Sequence, residues 1–377
     1  MSLSFCCWQP LLTAHQAHTL KALADRVGGR LAAISSRRED EERKAQGWAP
    51  NDDSVIEPEI LPAGGWRRRI REILDEDPDR IHIFGSPFER ARTNYALLRA
   101  LKAGRRVYLL AEPFSRVGVG YLSDSRPMLS AIKARLRPFV YRVYGKLLRQ
   151  RIAGVFAISP AAVEQFAGMG VRGPRVHPFG YFVPGDAKAT AEAPEHAGLR
   201  IAYLGSFIAR KGVRTLLDAM ASPAVQATGA TLDLFGPAGL DTGSSDASSY
   251  RGQLPFGQVQ QTLSGYDLLV VPSLYDGWAV VVNEAVMAGV PVLASDSVGA
   301  AAMLRKWGCG DTFEAGDADD LARKLAGLAA DPPVLARYRA ATATLAPLLE
   351  PGVAAGYLLA CIEADLAGRP APATPWY

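Results

Sequence analysis

The chain has 377 residues, 49% of them apolar and 21% charged, with a net charge of +4. That length and balance describe a globular protein with room for two hydrophobic cores, and the small net charge gives no reason to expect a nucleic-acid partner. The four cysteines, Cys6, Cys7, Cys309 and Cys361, form no C-x-x-C pair, and there are only five histidines, so neither a zinc site nor a disulfide framework is expected.

The first residues, MSLSFCCWQPLL, lack the basic start and long apolar core of a signal peptide, and no apolar run of about eighteen residues follows; a cytoplasmic chain is expected. Gln9 to His18 joins a first strand to a helix over His15 to Val27. Apolar runs at Leu31–Ser35, Ile81–Gly85, Val107–Ala111 and Val155–Ser159 read as strands and alternate with helical stretches such as Thr93–Lys102. The D-x-D strings at Asp75–Asp77 and Asp77–Asp79 lie in a charged stretch and read as a solvated helix end; no metal site is expected.

Between Lys133 and Arg151 there are seven basic residues and no acidic one. Leu129, Ile132, Leu136, Val140, Val143, Tyr144 and Leu147 recur at helical spacing, and Pro127 and Pro138 suit the first turns of two helices. Two readings stay open for 127–151: attachment to an anionic membrane surface, or a packed helix pair with a solvated basic side. No aromatic stacking surface accompanies the charges, which argues against nucleic acid.

Residues 184–198 are rich in Pro, Ala, Gly and charge without apolar periodicity and read as a linker. Beyond it, Arg200–Gly205, Thr231–Phe235, Leu268–Pro272, Pro291–Ala294 and Asp311–Phe313 again alternate with helices. Each half therefore reads as its own doubly wound parallel sheet, 1–183 and 199–350, followed by a helix over Val353–Ala367. The Pro-rich tail, Arg369 to Tyr377, is expected to be mobile.

Two segments carry chemistry. In VVPSLYDGWAVVVNEAVMAGVPVLASD, residues 270–296, a buried strand is stopped by Pro272, Asp276-Gly277 turns the chain, and Ala279–Ala288 has helical composition ending at Gly289. Strand, loop, helix and strand make a βαβ unit, whose ligands sit beyond the strands' carboxyl ends, where Asp276 and Gly277 fall. Free amides at the helix start would face a phosphate. In Tyr203–Val213, Gly205 permits a tight turn, and Arg210-Lys211 places two cations before a helix starting near Val213, which suits a diphosphate whose charge grows as it departs.

These segments resemble the E-x7-E region and the phosphate-gripping turn of family 4 glycosyltransferases, retaining enzymes of the GT-B fold. Asp276 stands where the first Glu usually stands, and Glu284 is the second. The resemblance implies two Rossmann-like doubly wound domains across a cleft, with the C-terminal helix, 351–368, crossing back to the first. It implies that Glu284 accepts from the ribose hydroxyls, that Gly277, Trp278 and Ala279 contact sugar and diphosphate through their amides, and that Lys211 grips the diphosphate. Ser206 occupies the position where the family has Arg, leaving Arg210 as the substitute cation, and Gly205 and Gly236 fall in turns near the donor. On the acceptor side it points to His15 and to Glu112, the latter where many members carry a His. The implied activity is transfer of a sugar from a nucleotide diphosphate sugar to a hydroxyl of an acceptor glycan, without metal or other cofactor; under the membrane reading of 127–151 that acceptor is a lipid-linked glycan. A nucleotide-sugar epimerase of the same fold and a non-catalytic nucleotide-binding homologue are the alternatives.

Overall fold

The computed structural model describes residues 3–38, 55–85, 90–115, 127–171, 175–186, 198–237, 248–255 and 257–377. Most of the linker and residues 86–89 lie outside the described residues.

Strands β1 (Phe5–Gln9), β2 (Leu31–Ser35), β3 (Glu59–Ile60), β4 (Ile81–Gly85), β5 (Val107–Ala111), β6 (Gly154–Ile158) and β7 (Val176–Phe179) form one sheet in the order β3-β2-β1-β4-β5-β6-β7. All of its pairings are parallel. Its helices are α1 (Ala14–Arg26), α2 (Trp66–Glu76), α3 (Ala91–Lys102), α4 (Pro127–Leu148) and α5 (Pro160–Gly168). Strands β1, β4, β5 and β6 are buried along their whole length, as a parallel sheet covered on both faces requires.

The second sheet is also all-parallel: β8 (Arg200–Leu204), β9 (Thr231–Phe235), β10 (Ser248–Gly252), β11 (Leu268–Val271), β12 (Val292–Ser295) and β13 (Gly310–Phe313), in the order β10-β9-β8-β11-β12-β13. Its helices are α6 (Val213–Met220), α7 (Pro223–Gln226), α8 (Val259–Leu263), α9 (Val280–Met287), α10 (Ala301–Trp307), α11 (Ala318–Ala330) and α12 (Pro332–Leu345). In each sheet the winding direction reverses once, between β1 and β4 and between β8 and β11. Such a reversal opens a crevice at the carboxyl ends of the strands.

The last helix, α13 (Pro351–Leu366), returns to the first sheet. Arg26 of α1 donates to the carbonyl of Gly352 at 2.7 Å, and Asp365 accepts from Tyr108 of β5 at 3.0 Å and sits 3.1 Å from His177 of β7. One apolar core runs from the first sheet through α13 to α9 and α10, while the outer face of each sheet has a core of its own. All four cysteines are buried and free.

Two expectations are corrected. The tail is docked: Trp376 is fully buried, its indole donates to the Leu348 carbonyl at 2.7 Å, and its ring lies 4.4 Å from that of Phe182. The Tyr377 hydroxyl donates to the Phe179 carbonyl at 2.7 Å. Prolines suggested mobility, but burial of two aromatic rings outweighs the loss of chain freedom. Pro138 starts no helix and lies inside a continuous α4. It costs that helix one backbone hydrogen bond, which the helix-favouring Ala, Arg, Lys and Leu on either side offset.

Candidate functional site

The site forms at the crevice between β8 and β11. After β8 the chain makes a short 3-10 turn, Ala209–Lys211, and enters α6 through Gly212 at φ 65°. A Cβ on Gly212 would fall 1.9 Å from the Pro272 carbonyl oxygen, so only glycine lets this turn close against the end of β11. The approach is sealed by the Leu274 amide, which donates to the Arg210 carbonyl at 2.9 Å.

Both cations of the turn converge on Asp276. The Lys211 ammonium donates to Asp276 Oδ2 at 2.5 Å, and Arg210 Nη1 lies 3.9 Å from the same oxygen while donating to the Tyr275 carbonyl at 2.9 Å. Burial alone would raise the Asp276 carboxyl, but the charges of Lys211 and Arg210, with hydrogen bonds from Lys211 and the Trp278 amide, bring it below its ordinary value. Asp276 is therefore ionised at neutral pH, and it ties the turn after β8 to the loop after β11.

That loop is fixed from three sides. The Asp276 amide donates to the Ser297 carbonyl at 3.1 Å and the Gly299 amide to the Asp276 carbonyl at 3.0 Å, forming an isolated bridge between Asp276 and Val298, and the Ala300 amide donates to the Trp278 carbonyl at 3.0 Å. Trp278 is buried, its indole donating to Asn283 Oδ1 at 3.0 Å, and Asn283 donates in turn to the Tyr181 carbonyl of the first domain at 2.9 Å. Ala279, just before α9, adopts φ 70°, a left-handed conformation that costs a residue with a Cβ about 1 kcal/mol or more. Among the described residues the amides of Gly277 and Ala279 meet no protein acceptor. They are ready-made donors for an anion.

Glu284 lies in the second turn of α9. It is half-buried and has no hydrogen-bonding or ionic partner among the described residues, and burial pushes its carboxyl up to about 7. In its ionised form a carboxylate can only accept, so what the Glu284 side chain lacks is a donor.

The first domain closes over the loop. Glu112, beyond β5, packs its carboxylate on Gly277, where a Cβ would come within 2.6 Å of Glu112 Oε2. The Tyr275 hydroxyl crosses to the Pro113 carbonyl at 2.5 Å. Ser159, ending β6 at φ 81°, is fully buried, and its Cβ would stand 2.7 Å from one built on Gly299. His15, in the first turn of α1, is 3.0 Å from the Thr13 hydroxyl and has its ring 4.3 Å from that of Tyr181.

Lys211, Arg210, Asp276, Gly277 and Glu112 are thus brought into one cluster, Trp278 and Ala279 lead from it into α9, and Glu284 lies on that helix. Gly205 and Gly236 face each other across the ends of β8 and β9, a Cβ on Gly236 falling 2.1 Å from the Gly205 carbonyl oxygen. Ser206 is buried and its carbonyl accepts from the Tyr203 hydroxyl at 2.9 Å. The Trp278 side chain is a structural bolt and its amide is taken by Asp276 Oδ1 at 3.3 Å, so of the three loop residues it offers a ligand least. Tyr275 and Asn283 were missed in the sequence, since their roles depend on the opposite domain; the D-x-D strings end at a surface turn where Asp77 accepts from Ser4 at 2.6 Å. No group of three or more His, Cys, Asp or Glu side chains able to hold a metal occurs among the described residues.

Residues 198–331, the whole of this crevice, match the family model of group 1 glycosyl transferases. No curated protein matches the chain in sequence. Among solved structures, HepE from Anabaena in complex with UDP superposes with a TM-score of 0.72 at 15% identity, covering 97% of this chain and 100% of that one. The fold is GT-B.

Other GT-B structures agree in extent. Sucrose-phosphate synthase from Thermosynechococcus elongatus superposes with a TM-score of 0.69 at 15% identity over 97% of this chain and 99% of that one, and the lipopolysaccharide outer core galactosyltransferase WaaB with 0.63 at 14% over 97% and 99%. In GT-B terms the crevice between β8 and β11 belongs to the C-terminal domain, Glu112 and Ser159 reach its loop from the N-terminal one, and His15 packs on Tyr181 within that domain.

Proposed function

We propose that the chain is a retaining glycosyltransferase of the family 4 type, moving a sugar from a nucleotide diphosphate sugar to a hydroxyl of an acceptor glycan. The observation that carries this reading is Glu284, a half-buried carboxylate with no side-chain donor among the described residues, one helical turn beyond a loop with two unused amides whose Asp276 holds the half-buried Lys211. A ribose diol supplies the donors Glu284 lacks, and a diphosphate supplies the acceptor for Gly277, Ala279 and Lys211. The HepE structures, solved with UDP and with UDP-glucose, support a donor of this class.

In this account Lys211 passes from Asp276 to the phosphate oxygens when the donor binds, and the loop amides stabilise the charge that grows as the bond from the anomeric carbon to the phosphate oxygen breaks. The acceptor oxygen bonds to the anomeric carbon from the same face, and its proton goes to the departing phosphate oxygen. Glu112 and His15 position sugar and acceptor hydroxyls. Charge stabilisation is assigned to the protein's own groups, so turnover is expected without added metal or cofactor. The acceptor is read as a lipid-linked glycan of cell-surface polysaccharide or lipopolysaccharide synthesis, which is the setting named for WaaB. The protein would then work in the cytoplasm, peripherally at the inner membrane face.

The test is proton NMR of the protein with nucleotide sugars, with and without glycan acceptors, following the anomeric signals. A new glycoside with the donor's anomeric configuration is expected. Inversion would overturn the retaining assignment, and interconversion of the donor sugar without an acceptor would establish an epimerase instead.

A further inference from the structure

Helix α4 leaves an apolar stripe facing away from the protein. Met128, Ile132, Leu136, Phe139, Val140, Val143 and Leu147 are all exposed, Phe139 at 66%, Leu147 at 57% and Leu136 at 55%. At about 100° per residue these seven side chains fall within about 120° of arc, on one face. The core-facing side is a different set: Ala134 and Leu148 are buried, and Tyr141 packs its ring 4.4 Å from that of Phe114. The helix is therefore apolar on two sides, and only one of them is covered.

Charge identifies what covers the other. Arg135, Arg142, Lys146 and Arg149 border the stripe along one edge and Lys133 stands on the other, all exposed, and no acidic residue occurs from 127 to 151. Arg137 is the exception, turned inward to the Ser115 carbonyl at 3.3 Å. An uncovered apolar stripe with a row of cations along one edge and a lysine on the other matches an interfacial helix, with side chains entering the acyl boundary and ammonium and guanidinium groups at the phosphate level. No single helix among the described residues is long and apolar enough to cross a membrane.

We propose that α4 is a docking surface for a lipid bilayer bearing anionic headgroups, the helix lying in the interface with Leu136, Phe139, Val143 and Leu147 inserted. This surface is independent of the donor crevice, although it supplies the membrane setting that a lipid-linked acceptor requires. A second copy of the chain would need acidic groups opposite these cations, and the face offers none to a two-fold partner.

Co-sedimentation with vesicles of phosphatidylcholine, with and without phosphatidylglycerol, tests it. Wild type is expected to bind the anionic vesicles, weakly at high salt, and to leave neutral ones largely unbound. Arg135→Gln/Arg142→Gln/Lys146→Gln should weaken partition about a hundredfold, from about fivefold per cation. Leu136→Gln/Phe139→Gln/Val143→Gln should abolish it while retaining the charges. All six positions are exposed, and thermal stabilisation by nucleotide, which does not involve this helix, reports that both variants stay folded. Equal binding of wild type and either variant, or a wild type that ignores both vesicles, overturns the proposal. So does a self-associated wild type that the apolar variant disperses.

Discussion

Replacement of Glu284 by Gln should change how nucleotide binding depends on pH. Burial holds the Glu284 carboxyl at about 7, so the ligand-free protein carries a mixture of acid and carboxylate near neutrality. Only the carboxylate can accept from both ribose hydroxyls, so apparent affinity follows the ionised fraction: about one part in eleven at pH 6 and about nine parts in ten at pH 8. Affinity for the nucleotide diphosphate should therefore rise about tenfold between these pH values from this group alone. The nucleotide's terminal phosphate also titrates near this range, with a pKa of about 6, and the Gln variant retains that contribution as the baseline. Isothermal titration calorimetry of both proteins at the two pH values measures the difference directly. A wild-type-to-variant affinity ratio that stays constant from pH 6 to pH 8 would refute the role given to Glu284.

The same group affects the ligand-free protein. Its folded pKa lies above the unfolded value of 4.5, so between 4.5 and about 7 the folded state binds more protons and stability falls as pH rises; chemical denaturation should show Glu284→Gln gaining about 2 kcal/mol at pH 8 and nothing below pH 4, a figure reduced for residual solvent contact. Asp276→Asn removes one partner of a part-buried pair and should destabilise the fold by about 2 kcal/mol, below the cost for a fully buried pair, yet bind the bare nucleotide more tightly, because Lys211 no longer has a competing carboxylate. Weaker binding together with the lost stability would mean that Asp276 itself serves the ligand. Trp376→Ala empties a fully buried aromatic site and should cost about 3–5 kcal/mol in urea unfolding, and an unchanged midpoint would show that the tail is not part of the core.

The path from β11 through Asp276 to α9 was legible because each signal in it is local: an apolar run, a proline stop, an Asp-Gly turn and a helix ended by glycine. Lys211 was legible for the same reason, as a cation directly before a helix. The partners of these residues were not. That Asp276 takes both Lys211 and Arg210 depends on Gly212 approaching Pro272 across sixty positions of sequence, and the pairing of Glu112 with Gly277 depends on how two domains meet. The tail was misread because proline content speaks to the isolated chain, whereas Trp376 and Tyr377 are held by Leu348 and Phe179. For α4 the spacing showed an amphipathic helix but could not say which apolar side faced outward, and Phe139, the most exposed apolar side chain after Met128, did not enter the series read from the sequence.

The central claim is a nucleotide diphosphate site built from Glu284, Lys211 and the amides after Asp276. Thermal stabilisation by UDP, GDP, dTDP and ADP, each with and without EDTA, in wild type and in Glu284→Ala and Lys211→Ala, tests it most directly. The account predicts a selective shift with one base, unchanged by EDTA and lost in both variants. No shift with any nucleotide, or a shift that survives both substitutions, would contradict it.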